Sequence, residues 1–92
     1  MAATMPYLSI ITPSFQQAQF LEQTIKSVIT QSFDNFEYLM VDGGSDDGSV
    51  EIIKKYARHL AWWVSEKDEG QGDAINKGLG RAKGEVVGWI NS

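Results

Sequence analysis

Phe36-Glu37-Tyr38-Leu39-Met40-Val41-Asp42-Gly43-Gly44-Ser45-Asp46-Asp47-Gly48-Ser49 changes character midway. The first half is short, apolar and supplied with aromatic and β-branched residues, the composition of a strand. The second half is made of residues that form turns and cap helices. The join falls at Asp42, which therefore stands at a strand end. Working outward, Leu21, Ile25, Val28 and Ile29 upstream fall at i, i+4, i+7 and i+8, and Val50, Ile53, Ala57 and Leu60 downstream at i, i+3, i+7 and i+10. Both spacings predict an amphipathic helix. Asp47 or Ser49 is placed to cap the second helix, and Glu51 suits its first turn.

The same alternation extends to both ends. Further strands are predicted at Tyr7–Thr12, Ala61–Ser65 and Val86–Ile90, and the first and last are apolar enough to be covered on both faces. Trp62 and Trp63 are adjacent and so point to opposite faces of their strand, both toward core. A third helix is predicted from Ile75, Leu79 and Ala82, with Gly84 as its stop. The order is βαβαβαβ. It predicts an α/β fold, a Rossmann-like parallel sheet in one domain covering residues 1–92.

The chain has 92 residues, 8 Lys and Arg against 12 Asp and Glu, and a formal net charge of −4. An acidic chain has no general attraction for nucleic acid, so no nucleic-acid partner is expected. Lys54, Lys55 and Arg58 read as a solvated helix face. The absence of cysteine excludes disulfides, thiol nucleophiles and thiolate-held zinc, and a single His cannot build a His-rich site. No apolar run approaches the ~20 residues of a membrane span, and Met1–Pro6 shows no export signal. The default compartment is the cytoplasm.

Ligands of open α/β sheets bind beyond the carboxyl ends of the strands. That rule selects Thr12-Pro13-Ser14-Phe15, Asp42 to Gly48, Glu66 to Asp73, and Asn91-Ser92. Each has two readings. Asp42 is either a turn residue or a carboxylate presented to a sugar diol or a base N–H. Pro13 either ends its strand or flanks a ligand, and Phe15 either closes the core or stacks on a planar base. Asp68, Gln71 and Asp73, with Gly70 and Gly72, exceed what one helix cap needs, which points to a ligand-facing loop. Gly70-Gln71-Gly72 lacks the third glycine of a dinucleotide fingerprint, since position 75 is Ile75, and no Gly-Lys-Ser/Thr element makes a P-loop. Phosphotransfer on a strand-end aspartate is also disfavoured, because position 44 is Gly44 where a second acid would be needed.

Together these stretches resemble family 2 glycosyltransferases. Leu8-Ser9-Ile10-Ile11-Thr12-Pro13-Ser14-Phe15 is similar to their opening strand, and Ser27-Val28-Ile29-Thr30-Gln31-Ser32 to their first helix. Val41 to Ser49 resembles their second-strand signature. Trp63-Val64-Ser65-Glu66, Asp68-Glu69-Gly70-Gln71 and Asp73 to Gly78 resemble a branch associated with bacterial surface polysaccharides. Ala82 to Ser92 resembles the approach to their acidic metal motif. The resemblance implies the N-terminal part of a GT-A fold, a UDP- or GDP-sugar donor, and transfer of the sugar to an acceptor hydroxyl.

The nucleotide-binding residues so implied are Thr12, Pro13, Ser14, Phe15, Asp42, Gly44, Ser45, Gln71 and Asp73. Gly43 replaces the second acid of the usual Asp-Asp pair, which leaves the donor base open. Mg²⁺ or Mn²⁺ is expected in the full-length enzyme, with its ligands and the catalytic base beyond Ser92, so no catalytic or metal-binding residue is assigned within this chain. The expectation is a chain that binds donor but lacks transferase activity alone and self-associates through the uncovered fourth strand. In full length it would be cytoplasmic or peripheral at the inner membrane. The alternative is a non-catalytic α/β binding or assembly module derived from the same scaffold.

Overall fold

A computed structural model describes residues 7–31 and 35–91. Residues 1–6, where no export signal is read, lie outside it, as do Ser32 and Ser92, the last residues of two of the motifs quoted above. The elements are β1 (Leu8–Ser14), α1 (Ala18–Ile29), β2 (Phe36–Asp42), α2 (Ser49–Lys55), a 3₁₀ turn (Ala57–His59), β3 (Trp62–Ser65), α3 (Gln71–Leu79) and β4 (Val86–Trp89). All strands are parallel, in the order β3-β2-β1-β4. The chain therefore builds outward from β1 through β3, then crosses to the other side of β1. That reversal is where open α/β sheets form a crevice.

Residues of β1 and β2 alternate between two cores. Ile10, Tyr38 and Met40 pack with Leu21, Ile25 and Val28 of α1 and Ile53 of α2. Ile11, Leu39 and Val41 pack with Ala74 of α3. The sheet is thus a middle layer, with α1 and α2 on one face and α3 on the other. Trp63 joins the first core and Trp62 the second, so the two indoles do face opposite ways, each half-buried. Lys55 Nζ to Glu22 (2.7 Å), with Tyr56 Oη donating to the same carboxylate oxygen, ties α2 to α1.

Several expectations need correction. β1 runs two residues further than its apolar pattern, so Pro13 and Ser14 lie in the strand, opposite Val41 and Asp42. Pro13 stands near the carboxyl end of β1, beyond the Leu8–Ile11 stretch that pairs with β4, a strand-end position that tolerates proline. The second helix stops at Lys55, and a tighter turn follows. Of the expected face, Ile53 in the helix and Leu60 beyond it reach the first core, joined by Ile52 and Tyr56, while Val50 and Ala57 do not. α3 is rotated by about one residue: Ala74 and Gly78 are buried, while Leu79 is exposed. Small residues win that face because the helix lies close to the sheet. A Cβ on Gly78 would sit 2.8 Å from Ile11 Cγ2.

Gly84 does not stop α3, whose C-cap is Gly80. It lies instead where the chain crosses β1, with room for no Cβ beside Ser9 N at 2.7 Å. There Gly84 N–H donates to Ser9 Oγ (2.8 Å), which donates to Glu37 Oε2 (2.6 Å). Lastly, β4 is an edge strand with Val86 and Trp89 exposed, not a strand covered on both faces.

Candidate nucleotide-binding cleft

Beyond the carboxyl ends of the strands lies an open cleft of about 740 Å³. Pro13 and Ser14 at the end of β1, with Phe15 and Gln17, form one side. Gly43 and Gly44 after β2 form the floor, and Lys67, Asp68 and Gly70 after β3 the other side. Gln71 and Ala74 of α3 and Asn91 after β4 close the end.

The loop after β2 is organised by Asp42, which is fully buried. Its Oδ2 accepts from Gly44 N–H (3.1 Å), Ser45 N–H (2.7 Å) and Ser65 Oγ (2.8 Å), and its Oδ1 from Ser45 Oγ (2.7 Å). A buried carboxylate needs such partners, and here the loop supplies three and the end of β3 the fourth. Gly44 takes φ +88°, and a Cβ there would approach Lys67 N to 3.2 Å, so glycine lets the loops after β2 and β3 touch. Gln16 (φ 54°) fastens the loop after β1 to that after β2: its N–H donates to Ser45 Oγ (2.8 Å) and its side chain bonds Asp46 twice.

Asp47 joins two helix starts, as its Oδ2 accepts from Ala18 N–H (3.0 Å) and its Oδ1 from Ser49 N–H and Oγ. The Ser49 hydroxyl first, then the Ala18 amide, hold the Asp47 carboxyl below its ordinary value. Asp47 thus serves α2 from outside, while Ser49 is the first helical residue and the N-cap is Gly48.

The sequence-derived residues divide. Pro13, Ser14, Phe15, Gly44 and Gln71 line the cleft. Phe15 is 59% exposed, so it does not close the core. Ser14 is only 5% exposed, and its hydroxyl has no hydrogen-bond partner among the described residues. Gln71 Nε2 donates to Asn91 Oδ1, linking α3 to the end of β4. Thr12 lies beneath the cleft and shares a hydrogen bond with Tyr38 Oη (2.7 Å), whose phenol burial pushes up to about 12. Ser45 and Asp42 are occupied in shaping the loop. Asp73 accepts from Glu69 N–H (3.0 Å) and faces Lys77 (3.8 Å) instead of lining the cleft.

Gln17, Lys67, Asp68, Gly70, Ala74 and Asn91 complete the lining. Asp68 was visible in the sequence as part of the polar cluster before α3. Lys67 carried no signal beyond its place after β3. Among the described residues no group of three His, Cys, Asp or Glu side chains could hold a metal ion. Among the described residues Asp68 is the one carboxylate lining the cleft. These residues do not make the ligand set of Mg²⁺ or Mn²⁺. Nor is any helix among them long and apolar enough to cross a membrane.

Residues 9–92 match the sequence model of glycosyl transferase family 2. The chain belongs to this family. It is 36% identical over 88 residues to an uncharacterized glycosyltransferase of Mycobacterium tuberculosis, covering 95% of this chain and 34% of the relative. It is 35% identical over 92 residues to the putative teichuronic acid biosynthesis glycosyltransferase TuaG of Bacillus subtilis, covering 95% and 36%. The chain therefore spans about a third of the length of these relatives.

The family 2 chain also superposes on solved GT-A glycosyltransferases. The mannosyltransferase PcManGT from Pyrobaculum calidifontis, in complex with GDP-Man and Mn²⁺, matches at TM-score 0.80 and 27% identity, over 91% of this chain and 26% of that one. S. aureus TarS 1-349 in complex with UDP-GlcNAc matches at 0.82 and 27%, over 92% and 26%. The α/β fold expected from the sequence, the N-terminal part of a GT-A fold, is thereby established.

Proposed function

We propose that this chain is the donor-binding portion of a family 2 glycosyltransferase, holding the nucleoside diphosphate of a UDP- or GDP-sugar in the cleft beyond β1 and β2. The observation that carries this reading is Ser14. Its hydroxyl is buried and unpartnered in the wall of a roomy cleft, beside the exposed ring of Phe15. An unpartnered buried hydroxyl costs stability unless a ligand supplies the missing bond. An exposed aromatic ring offers a base a face to stack on. Pro13, Gly44 and Gln71 share the cleft, whereas Thr12, Asp42, Ser45 and Asp73 support it from behind. Lys67 adds a cation suited to a diphosphate.

The donor complexes of PcManGT and TarS 1-349, and the teichuronic acid role of TuaG, support a sugar nucleotide and an acceptor in cell-surface polysaccharide. Alone, the chain binds donor without turning it over, because among the described residues no cluster of carboxylates or imidazoles could hold the cation that offsets the charge of the leaving diphosphate. A divalent cation would be held by carboxylates outside the described residues. Val86, Trp89 and Ile90, all exposed along the edge strand, favour self-association. The compartment consistent with a nucleotide-sugar donor is the cytoplasm or the inner face of the membrane.

The test is a titration of isotopically labelled chain with UDP and GDP, with and without Mn²⁺, followed by amide shifts. Shifts confined to Ser14–Gln17, Gly43–Ser45 and Lys67–Gln71 are expected. A folded spectrum unmoved by either nucleotide refutes the reading and favours a scaffold without the binding function.

A further inference from the structure

Gly43 and Asp68 occupy one place. A Cβ on Gly43 would lie 3.0 Å from Asp68 Oδ1 and 3.2 Å from Oδ2. The carboxylate of the loop after β3 therefore fills the space into which a side chain from the loop after β2 would point. It is held there. Gly70 N–H donates to Asp68 Oδ1 (2.9 Å), Glu66 N–H donates to Asp42 O (3.0 Å), and Gly44 packs beneath Lys67. Asp68 is half-buried and lines the same cleft as the buried Ser14 hydroxyl, which has no partner among the described residues. The loop after β2 is also tied to the end of β1, where Gly43 N–H donates to Ser14 O (2.8 Å).

An ionised carboxylate only accepts hydrogen bonds. With Oδ1 already receiving the Gly70 amide, Asp68 retains Oδ2 and a remaining lone pair on Oδ1 for a donor in the cleft. Nucleobases differ at the edge they would present. Uracil carries an imino N3–H, and guanine carries N1–H beside an amino group. Cytosine N3 and adenine N1 are acceptors, and would set lone pair against lone pair.

We propose that Asp68 selects the donor base by accepting the imino N–H of uracil or guanine, and that position 43 is glycine so that Asp68 can stand there. This rests on the nucleotide reading above and deepens it. The cleft's carboxylate then comes from the loop after β3, with the room for it left by Gly43.

The experiment is a calorimetric titration of the chain with UDP, GDP, CDP and ADP. Binding of UDP or GDP at least about tenfold tighter than CDP and ADP is expected, the worth of one charge-assisted hydrogen bond. The better of UDP and GDP identifies the base. Asp68→Asn keeps an oxygen for the Gly70 amide and turns an amino donor toward the base. It should shrink the preference over CDP by about tenfold or reverse it. Gly43→Asp with Asp68→Asn returns a carboxylate from the other loop and should restore the preference, whereas Gly43→Asp alone crowds two carboxylates together and should weaken all four nucleotides.

An Asp68→Asn chain with an unchanged UDP-to-CDP ratio overturns the base-selection proposal and leaves the nucleotide reading standing. So does wild-type binding that ignores the base. Failure of every nucleotide to bind the folded wild type overturns both.

Discussion

The loops after β2 and β3 each begin with polar residues at a parallel strand end, yet they use their acids in opposite ways. Asp42 is fully buried and its two oxygens accept four hydrogen bonds, three from its own loop and one from Ser65 at the end of β3. Asp68 is half-buried, accepts one backbone amide among the bonds described, and lines the cleft. The first carboxylate builds the platform and the second faces the open cleft. Position at a strand end is therefore not enough to make an acid a ligand. What decides is whether local amides and hydroxyls reach it first.

The comparison breaks most visibly at Asp42. Asp42→Ala leaves two amides and two hydroxyls without their acceptor in a buried place. It should lower unfolding free energy by about 3 kcal/mol or more. For a domain whose whole stability is on the order of 5–14 kcal/mol, the urea midpoint should collapse. Asp68→Ala, by contrast, should move that midpoint little. Equal midpoints for the two variants would contradict the division of labour.

Next in size is Gly78→Ala, which tests how tightly α3 is pressed against the sheet beneath the β3 side of the cleft. The new methyl would meet Ile11, itself fully buried, at 2.8 Å. Overpacking should cost about 2 kcal/mol in the same denaturation experiment. A neutral result would mean that α3 can lift, and that the cleft wall it carries is less fixed than that carried by β1.

These two sites also show what could be read in the sequence. The strand order of events, the helices and the strand-end location of the site were legible, because apolar periodicity and turn residues are local signals. The seam of α3 was not. Periodicity follows large residues and pointed to Ile75 and Leu79, while the sheet is met by Ala74 and Gly78, chosen for smallness. The roles of Asp42 and Asp68 were likewise hidden, because they depend on which loop supplies N–H groups across space. Ser65, far from Asp42 in sequence, is one such donor. Ser14 reads as a ligand neighbour in the sequence, but that its hydroxyl lacks a partner among the described residues is visible only in three dimensions.

Ser14→Ala sharpens the contrast in a different way, since stability and binding should move in opposite directions. Removing an unpartnered buried hydroxyl lifts a desolvation cost, so the chain should gain up to about 1 kcal/mol. Loss of the hydrogen bond it would offer a nucleotide should weaken UDP or GDP roughly fivefold. A variant that loses stability as well would show that the hydroxyl serves the fold and not the cleft.

The smallest effect concerns the platform's outer edge, and it is a matter of pH. The Asp47 carboxyl is held below its ordinary value of 3.8, first by the Ser49 hydroxyl and then by the Ala18 amide. A depressed folded value means that the carboxylate stabilises the folded chain at pH above the unfolded value. That contribution fades as pH falls below about 4 and through the lower folded value. Asp47→Asn has no charge to lose, and its single acceptor oxygen can serve Ala18 or Ser49 but not both helix starts. Urea midpoints measured from pH 6 down to pH 2.5 should therefore differ between wild type and Asp47→Asn at the upper end and converge at the lower. Convergence would show that charge at Asp47 ties the start of α1 to the β2 loop. A constant offset would assign its effect to hydrogen-bond geometry alone, and the platform would then owe its order to Asp42 without electrostatic help from its rim.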